Sequence, residues 1–155
     1  MFLQSFEVGN LERLAGLTRI PLVQLVAARG GPPDRPSLSS AHLLSDQGLK
    51  RVRQYASAIG VEKTLVIPRT PDERLGRPTD LVARAQAVGL AVHAWTFRPE
   101  NFFLPRELRR GAQAEARGDA EGELRAYLAA GVDGVFTDWV PPALAARRAR
   151  VTAAD

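Results

Sequence analysis

Two segments of the chain end in polar side chains after an apolar run. The first covers residues 92–101 and contains His93, Trp95 and Arg98, and the second covers residues 131–138. Both segments are typical of strands in a parallel α/β protein. Ligands of such proteins bind at the carboxyl ends of the strands. We therefore expect any ligand chemistry of this chain at the ends of these two segments.

Each of these side chains has a functional and a structural interpretation. Trp95 either forms the wall of a pocket or packs in the core, as tryptophans in strands often do. Arg98 either binds a phosphate oxygen through its forked donors or pairs with Glu100 and fixes the loop. His93 lies about 7 Å before Trp95 along the strand, and we predict a buried, hydrogen-bonded structural histidine. His42 is expected at the surface.

The acidic residues do not form a metal-binding pattern. Asp133 and Asp138 are five positions apart, so they would point to opposite faces of one strand. We expect Asp133 to tie the turn before Gly134, and Asp138 to support the strand end or cap the last helix. Histidines and carboxylates nowhere have metal-ligand spacing. We therefore assign no metal ligand.

Composition limits the classes of partner. Hydrophobic residues make up 45% and charged residues 25% of the chain, as in ordinary globular domains. The net charge is +4 with scattered arginines, so no nucleic-acid partner is expected. The absence of cysteine excludes disulfides and thiolate metal sites. No apolar run approaches the ~18 residues of a membrane span, so none is predicted. The compartment stays open: periplasmic or secreted with a signal-bearing N-terminus, cytoplasmic otherwise.

Five apolar segments alternate with helical patterns. The expected strands are residues 2–6, 20–27, 64–67, 90–96 and 132–137. Ser45 is expected to cap a helix that runs through Ile59 to Gly60. Gly89 and Gly131 each end a helix directly before a strand. Such short connections place consecutive strands parallel, so the sequence predicts an α/β protein.

Five pieces of the chain, in order, resemble the C-terminal part of a glycerophosphodiester phosphodiesterase domain, most closely its bacterial periplasmic-type branch. They are FLQSFE at 2–7, LVQL at 22–25, VHAWTFRPEN at 92–101, FLP at 103–105 and GVDGVFTD at 131–138. The resemblance implies a partial (β/α)8 TIM barrel of the PLC-like phosphodiesterase type. Residues 1–149 would form roughly its last five βα units, followed by a disordered tail over residues 150–155.

The resemblance also implies an activity and a substrate site. The family hydrolyses glycerophosphodiesters to glycerol 3-phosphate and an alcohol, with a divalent metal (calcium or magnesium) and two histidines as general acid and base. Phe6 would border the substrate pocket together with Trp95 and Arg98. Glu7 would touch the metal site or a substrate hydroxyl, or serve only at the surface. The family's His-Arg-Gly, Glu-x-Asp, His-Asp and Glu-x-Lys segments do not occur here. Neither histidine of the chain matches a catalytic histidine of the family, so no catalytic residue is assigned. We therefore expect this chain alone to hold no metal and to be inactive.

A second interpretation is a non-catalytic half-barrel that binds a phosphate ester or a partner. The expected edge strands at residues 2–6 and 132–137 would have unpaired backbone groups, which favour pairing with another chain. Self-association or complementation by a partner carrying the first three strands would follow. Met1 stands where the family's strand usually has an apolar residue such as valine, and a valine codon of the GTG type can be read as a start. The chain would then be a truncated gene model or a split remnant. We therefore expect the in-frame codons upstream to encode the missing segments.

Overall fold

The chain folds into one parallel sheet that curls into a half-barrel. The computed structural model describes the backbone of residues 1–152 and the side chains of residues 1–149. Its five strands lie in the order β1-β2-β3-β4-β5, and all neighbouring strands run parallel. They are β1 Leu3–Ser5, β2 Leu22–Val26, β3 Ala58–Glu62, β4 Ala91–Phe97 and β5 Gly134–Thr137. The predicted partial TIM-barrel architecture is confirmed.

Helices connect the strands on the convex side of the sheet. They are α1 Val8–Ala15, α2 Ser40–Leu43, α3 Asp46–Val52, α4 Leu81–Ala87, α5 Ala120–Ala129 and α6 Val140–Thr152. Short 3-10 turns cover Lys63–Leu65, Asn101–Phe103 and Arg106–Leu108. None of the helices within residues 1–152 is long and apolar enough to cross a bilayer. The tail predicted over residues 150–155 overlaps the end of α6, and residues 153–155 lie outside the described part of the chain.

The predicted position of the third strand is wrong. The helix expected to reach Gly60 ends at Val52, and the strand follows at Ala58–Glu62 instead of residues 64–67. A short apolar run does not distinguish a strand from a buried helix. Gly60 was predicted to end the helix because glycine is common at that position. The glycine instead gives space inside the barrel, because a Cβ there would lie 2.6 Å from the Leu25 Cδ2 atom. The two other helix ends are correct: Gly89 and Gly131 have φ angles of 82° and 93°.

Alternate side chains of each strand form the core against the helices. The helices contribute Leu11, Leu49, Leu124 and Tyr127, none of which is measurably exposed. The strands contribute the convex-face residues Leu22, Val26, Ile59, Val61, Val92, Ala94 and Phe97. The buried Gln24 of β2 lies on the same convex face, whereas Gln4, Leu25, Trp95 and Phe136 point to the concave face of the half-barrel. This alternation follows from the two-residue period of a strand.

Gly48 gives a stability prediction with an unusual sign. It lies within α3, where alanine normally stabilises a helix by about 1 kcal/mol relative to glycine. A Cβ at Gly48 would lie 2.1 Å from the carbonyl oxygen of His42, a backbone atom of the adjoining α2. We therefore expect Gly48→Ala to destabilise the fold by about 1–3 kcal/mol in urea unfolding. At Gly16 the nearest atom would lie 3.6 Å away. Gly16→Ala, the control, should be neutral or stabilising, and an equal loss in both variants would contradict this explanation.

Candidate functional site at the carboxyl end of the sheet

The concave face contains a cleft of about 270 Å³ at the carboxyl ends of the strands. It is lined by Gln4, Phe6, Leu25, Trp95, Thr96 and Phe136. The two-residue period of a strand places Gln4 and Phe6 on one face, and both line the cleft. The lining is mostly apolar and aromatic, and a few polar groups stand at its border. Such a cleft at this end of a parallel sheet suits a small ligand.

Trp95 forms one wall of the cleft. Its indole Nε1 donates a hydrogen bond of 2.8 Å to the carbonyl oxygen of Gly60 on the neighbouring strand. Its ring meets Phe6 edge to face, with ring centroids 5.9 Å apart. The hydrogen bond uses the only polar group of the indole, so the ring offers the cleft an apolar face. Contact between substrate and Trp95 or Phe6 stays a prediction.

The expected alternation along β4 breaks after Trp95. The two-residue period of a strand would place His93, Trp95 and Phe97 on one face and Thr96 on the other. The pairing of β4 with β5 instead shifts register between Ala94 and Phe97. Thr96 therefore lines the cleft beside Trp95, whereas Phe97 turns to the helices and packs at 4.9 Å on Tyr127. An irregularity of this kind has no signal in a hydrophobic pattern.

His93 lies deeper on the concave face, between two aromatic rings. Its ring centroid is 5.1 Å from that of Phe2 and 5.9 Å from that of Phe136. The residue is half-buried, but within the described residues its imidazole makes no hydrogen bond, which corrects the prediction of a hydrogen-bonded histidine. Burial lowers the pKa of His93, and the nearby Asp133 carboxylate opposes that shift. The exposed position predicted for His42 is confirmed.

His93 makes stability depend on pH. Because its pKa is lowered in the folded state, the unfolded chain binds the proton more readily. We expect the free energy of unfolding to fall as the pH drops below about 6.5, the ordinary histidine value. Urea unfolding across this range should show a smaller pH slope for His93→Gln than for the wild type. His42→Gln is the control and should retain the wild-type slope. An unchanged slope in His93→Gln would rule out this histidine as the cause.

Arg98 is engaged with the protein itself. Its Nε atom lies 3.4 Å from carboxylate oxygens of both Glu100 and Asp138. Its guanidinium also stacks over the Phe103 ring at 4.4 Å from the centroid. The structure thus shows the loop-fixing alternative, with Asp138 as a partner that sequence reasoning missed. Of the two roles predicted for Asp138, the structure shows support of the strand end. Phosphate binding by Arg98 stays a prediction.

Glu7 lies at the exit of β1 and begins α1. Its side chain is exposed and makes no capping hydrogen bond. The cap of α1 comes instead from Asp34, whose carboxylate accepts hydrogen bonds from the amides of Val8 at 3.0 Å and Gly9 at 2.7 Å. Asp34 belongs to the long loop after β2, so no local pattern predicted this contact. The role of Glu7 toward a metal or substrate stays a prediction.

The carboxylates near the cleft do not fit a divalent metal. Glu62 accepts hydrogen bonds from the amide of Ala28 at 2.9 Å and the hydroxyl of Thr64 at 2.9 Å. Glu100 and Asp138 are paired with Arg98, as described above. Within the described residues, no group of three or more histidines, aspartates or glutamates comes together as metal ligands. Asp133 does not tie the turn before Gly134, as we expected. Its Oδ2 instead accepts the amide of Val92 on the neighbouring strand at 2.8 Å and the side-chain amide of Gln86 at 3.1 Å.

A buried ion network supports the loops around the cleft. Glu123 on α5 is fully buried, and both its oxygens lie 2.9 Å from the Nζ atom of Lys63. Arg69 also pairs with Glu123. Lys63 donates a further hydrogen bond of 3.1 Å to the carbonyl of Phe103, the residue under Arg98. Sequence reasoning missed this network because its members are up to 60 residues apart.

Comparisons with known proteins agree with this architecture. The sequence model described as "Glycerophosphoryl diester phosphodiesterase family" matches residues 1–141. Glycerophosphodiester phosphodiesterase GDPD6 of Arabidopsis thaliana is 34% identical over 140 residues, which are 90% of this chain and 35% of that protein. The chain thus spans 35% of the length of this curated relative.

A solved structure shares the fold. The crystal structure named "Putative glycerophosphoryl diester phosphodiesterase" from Agrobacterium tumefaciens str. C58 superposes with a TM-score of 0.57 at 19% identity. The match covers 96% of this chain and 44% of that chain. With the family model covering all five strands, the chain belongs to the glycerophosphoryl diester phosphodiesterase family.

Proposed function

We propose that this chain forms the substrate-contacting, C-terminal part of a domain that hydrolyses glycerophosphodiesters to glycerol 3-phosphate and an alcohol. One observation carries the proposal. The two segments that match the family and contain Phe6 and Trp95 meet edge to face across an open cleft at the carboxyl end of the sheet. Phe6 and Trp95 would pack on the glycerol or head group. Arg98 and Glu7 would border the polar end of the substrate.

In this proposal the chain does not perform hydrolysis alone. Cleavage of a phosphodiester needs positioned proton transfer and stabilisation of the charge that develops on the phosphoryl oxygens. Glu62, Glu100 and Asp138 are already bound to the protein's own amides, hydroxyls and Arg98. A calcium or magnesium ion and the acid–base histidines would therefore be held by the family's first three βα units. Those units would close the barrel over this cleft.

The experiment compares the chain alone with the chain plus its missing half. Purified chain is incubated with glycerophosphocholine and calcium, with and without a polypeptide carrying the first three βα units of the Arabidopsis relative. We expect glycerol 3-phosphate only from the mixture, and each polypeptide alone is the control. Turnover by the chain alone at an ordinary enzymatic rate, about 1 s⁻¹ or more, would contradict the proposal that the catalytic groups lie on the first three βα units. A mixture that forms a complex but hydrolyses no glycerophosphodiester would contradict the function.

A second candidate is a non-catalytic module that self-associates or takes up a partner. Its support is the open sheet: within the described residues β1 pairs only with β2, and β5 only with β4. Phe2 and Phe6 on the concave face are 52% and 38% exposed. Exposed edges and aromatic rings favour association. Light scattering of purified chain should then give a mass above 16.8 kDa that rises with concentration. A monomer at all concentrations would contradict self-association.

A further inference from the structure

We infer that Gln24, held by Tyr55, is a positioning residue that fixes Phe6 as a wall of the cleft. The inference depends on the proposed function only for its consequence for substrate, since the positioning itself is a property of the fold. Gln24 lies on β2 but points away from the cleft, toward the helices, and none of its surface is exposed. It therefore acts through Phe6 and does not touch substrate.

The side-chain amide of Gln24 holds the backbone at the end of β1. Its two N–H groups are shared among three carbonyl oxygens, which lie 3.3 Å (Ser5), 3.1 Å (Phe6) and 3.1 Å (Leu25) from the Nε2 atom. The ladder between β1 and β2 ends at the pair of Ser5 and Gln24. Beyond that pair, the glutamine side chain provides the donor that a neighbouring backbone amide would otherwise provide. It thus fixes the direction in which the chain leaves β1 with Phe6.

Tyr55 completes the arrangement from the helix side. Its hydroxyl donates a hydrogen bond of 2.8 Å to the Oε1 atom of Gln24. Burial raises the pKa of Tyr55 well above the usual value, so the hydroxyl stays a donor. A flipped amide would place Oε1 against the carbonyls of Ser5, Phe6 and Leu25, which are acceptors only. Tyr55 and these carbonyls therefore favour the same orientation of Gln24.

Loss of the Gln24 hydrogen bonds would affect the cleft through the ring of Phe6. The Phe6 ring meets Trp95 edge to face at 5.9 Å, and both residues line the cleft. A part-buried carbonyl without a donor is unfavourable, so the segment at Phe6 would relax when its carbonyl loses the Gln24 amide. The Phe6 ring would then leave its position against Trp95. Substrate would lose one aromatic wall without losing any catalytic group.

The test uses the indole of Trp95 as a reporter of Phe6. In a Trp139→Phe background, the Trp95 Nε1–H resonance is recorded by ¹H–¹⁵N NMR for Tyr55→Phe and Gln24→Met. Both variants should shift this resonance, because the ring of Phe6 moves. Tyr127→Phe is the matched control, since it removes another buried tyrosine hydroxyl, bonded at 3.0 Å to the Lys63 carbonyl. The control should leave the resonance in place.

Two further measurements keep the inference falsifiable. In the wild-type chain, the side-chain amide protons of Gln24 should exchange with solvent far more slowly than those of exposed Gln54. Equal exchange, or an indole resonance unmoved in Tyr55→Phe, would overturn the inference. In the reconstituted domain, Tyr55→Phe should raise KM about two- to tenfold with kcat nearly unchanged. Loss of kcat alone would also overturn it. If the wild-type mixture is inactive, the proposed function fails, and the indole resonance still decides the positioning.

Discussion

Replacing Glu123 by alanine is expected to destabilise the fold by about 3–5 kcal/mol, because two cations then lose their buried counter-charge. The carboxylate is completely buried and pairs with both Lys63 and Arg69. Burial already lowers the pKa of Lys63, and Glu123 is the charge that opposes this shift. Without the carboxylate, Lys63 must either lose its proton or stay charged in a poorly solvated place. Both outcomes cost folding free energy.

The same helix offers a matched control. Glu121 lies two positions before Glu123 on α5 and pairs with Arg125 at the surface, where the glutamate side chain is 34% exposed. Surface pairs of this kind contribute about 0–1 kcal/mol. Urea unfolding of Glu121→Ala should therefore show only a small loss beside Glu123→Ala. Similar losses in the two variants would show that the buried network contributes no more to the free energy of unfolding than a surface pair.

The sequence predicted those parts of the fold that local physics decides. Gly89 and Gly131 adopt left-handed backbone at the end of a helix, where a side chain is unfavourable, so both turns were predictable. Ser45 caps α3 by accepting the Gly48 amide at 3.1 Å, also within four residues. The strand at Ala58–Glu62 was not predictable in the same way. Its first four residues form a short apolar run, and only their packing inside the sheet distinguishes this run from a helix end.

In the candidate site, too, the sequence predicted local features but not contacts between distant segments. The period of a strand places Gln4 and Phe6 on one face, and the structure brings both to the cleft. Contacts across the sheet were beyond sequence reasoning. Arg98 meets Asp138 from another strand end, and Gln24 meets Tyr55 at a separation of 31 residues. Partners of this kind depend on which strands are neighbours, and a pattern within one segment holds no information about that.

Trp95→Ala is expected to raise KM of the reconstituted domain about 10- to 100-fold, because substrate loses an aromatic wall worth about 1.5–3 kcal/mol. The indole lines the cleft, and its only donor is already used by the Gly60 carbonyl. Its contribution to binding is therefore contact with its ring. Trp95→Phe keeps an aromatic face and loses only that hydrogen bond, so its KM should lie between those of the wild type and Trp95→Ala.

Trp139 provides the control for this series. It lies just beyond β5, stacked under the guanidinium of Arg117 at 4.5 Å, and it does not line the cleft. Trp139→Ala therefore removes the same side chain without opening the substrate wall. KM measured with glycerophosphocholine should stay near the wild-type value in Trp139→Ala. Equal increases in both alanine variants would mean that tryptophan removal acts through stability. An unchanged KM in Trp95→Ala would mean that substrate binds away from this cleft.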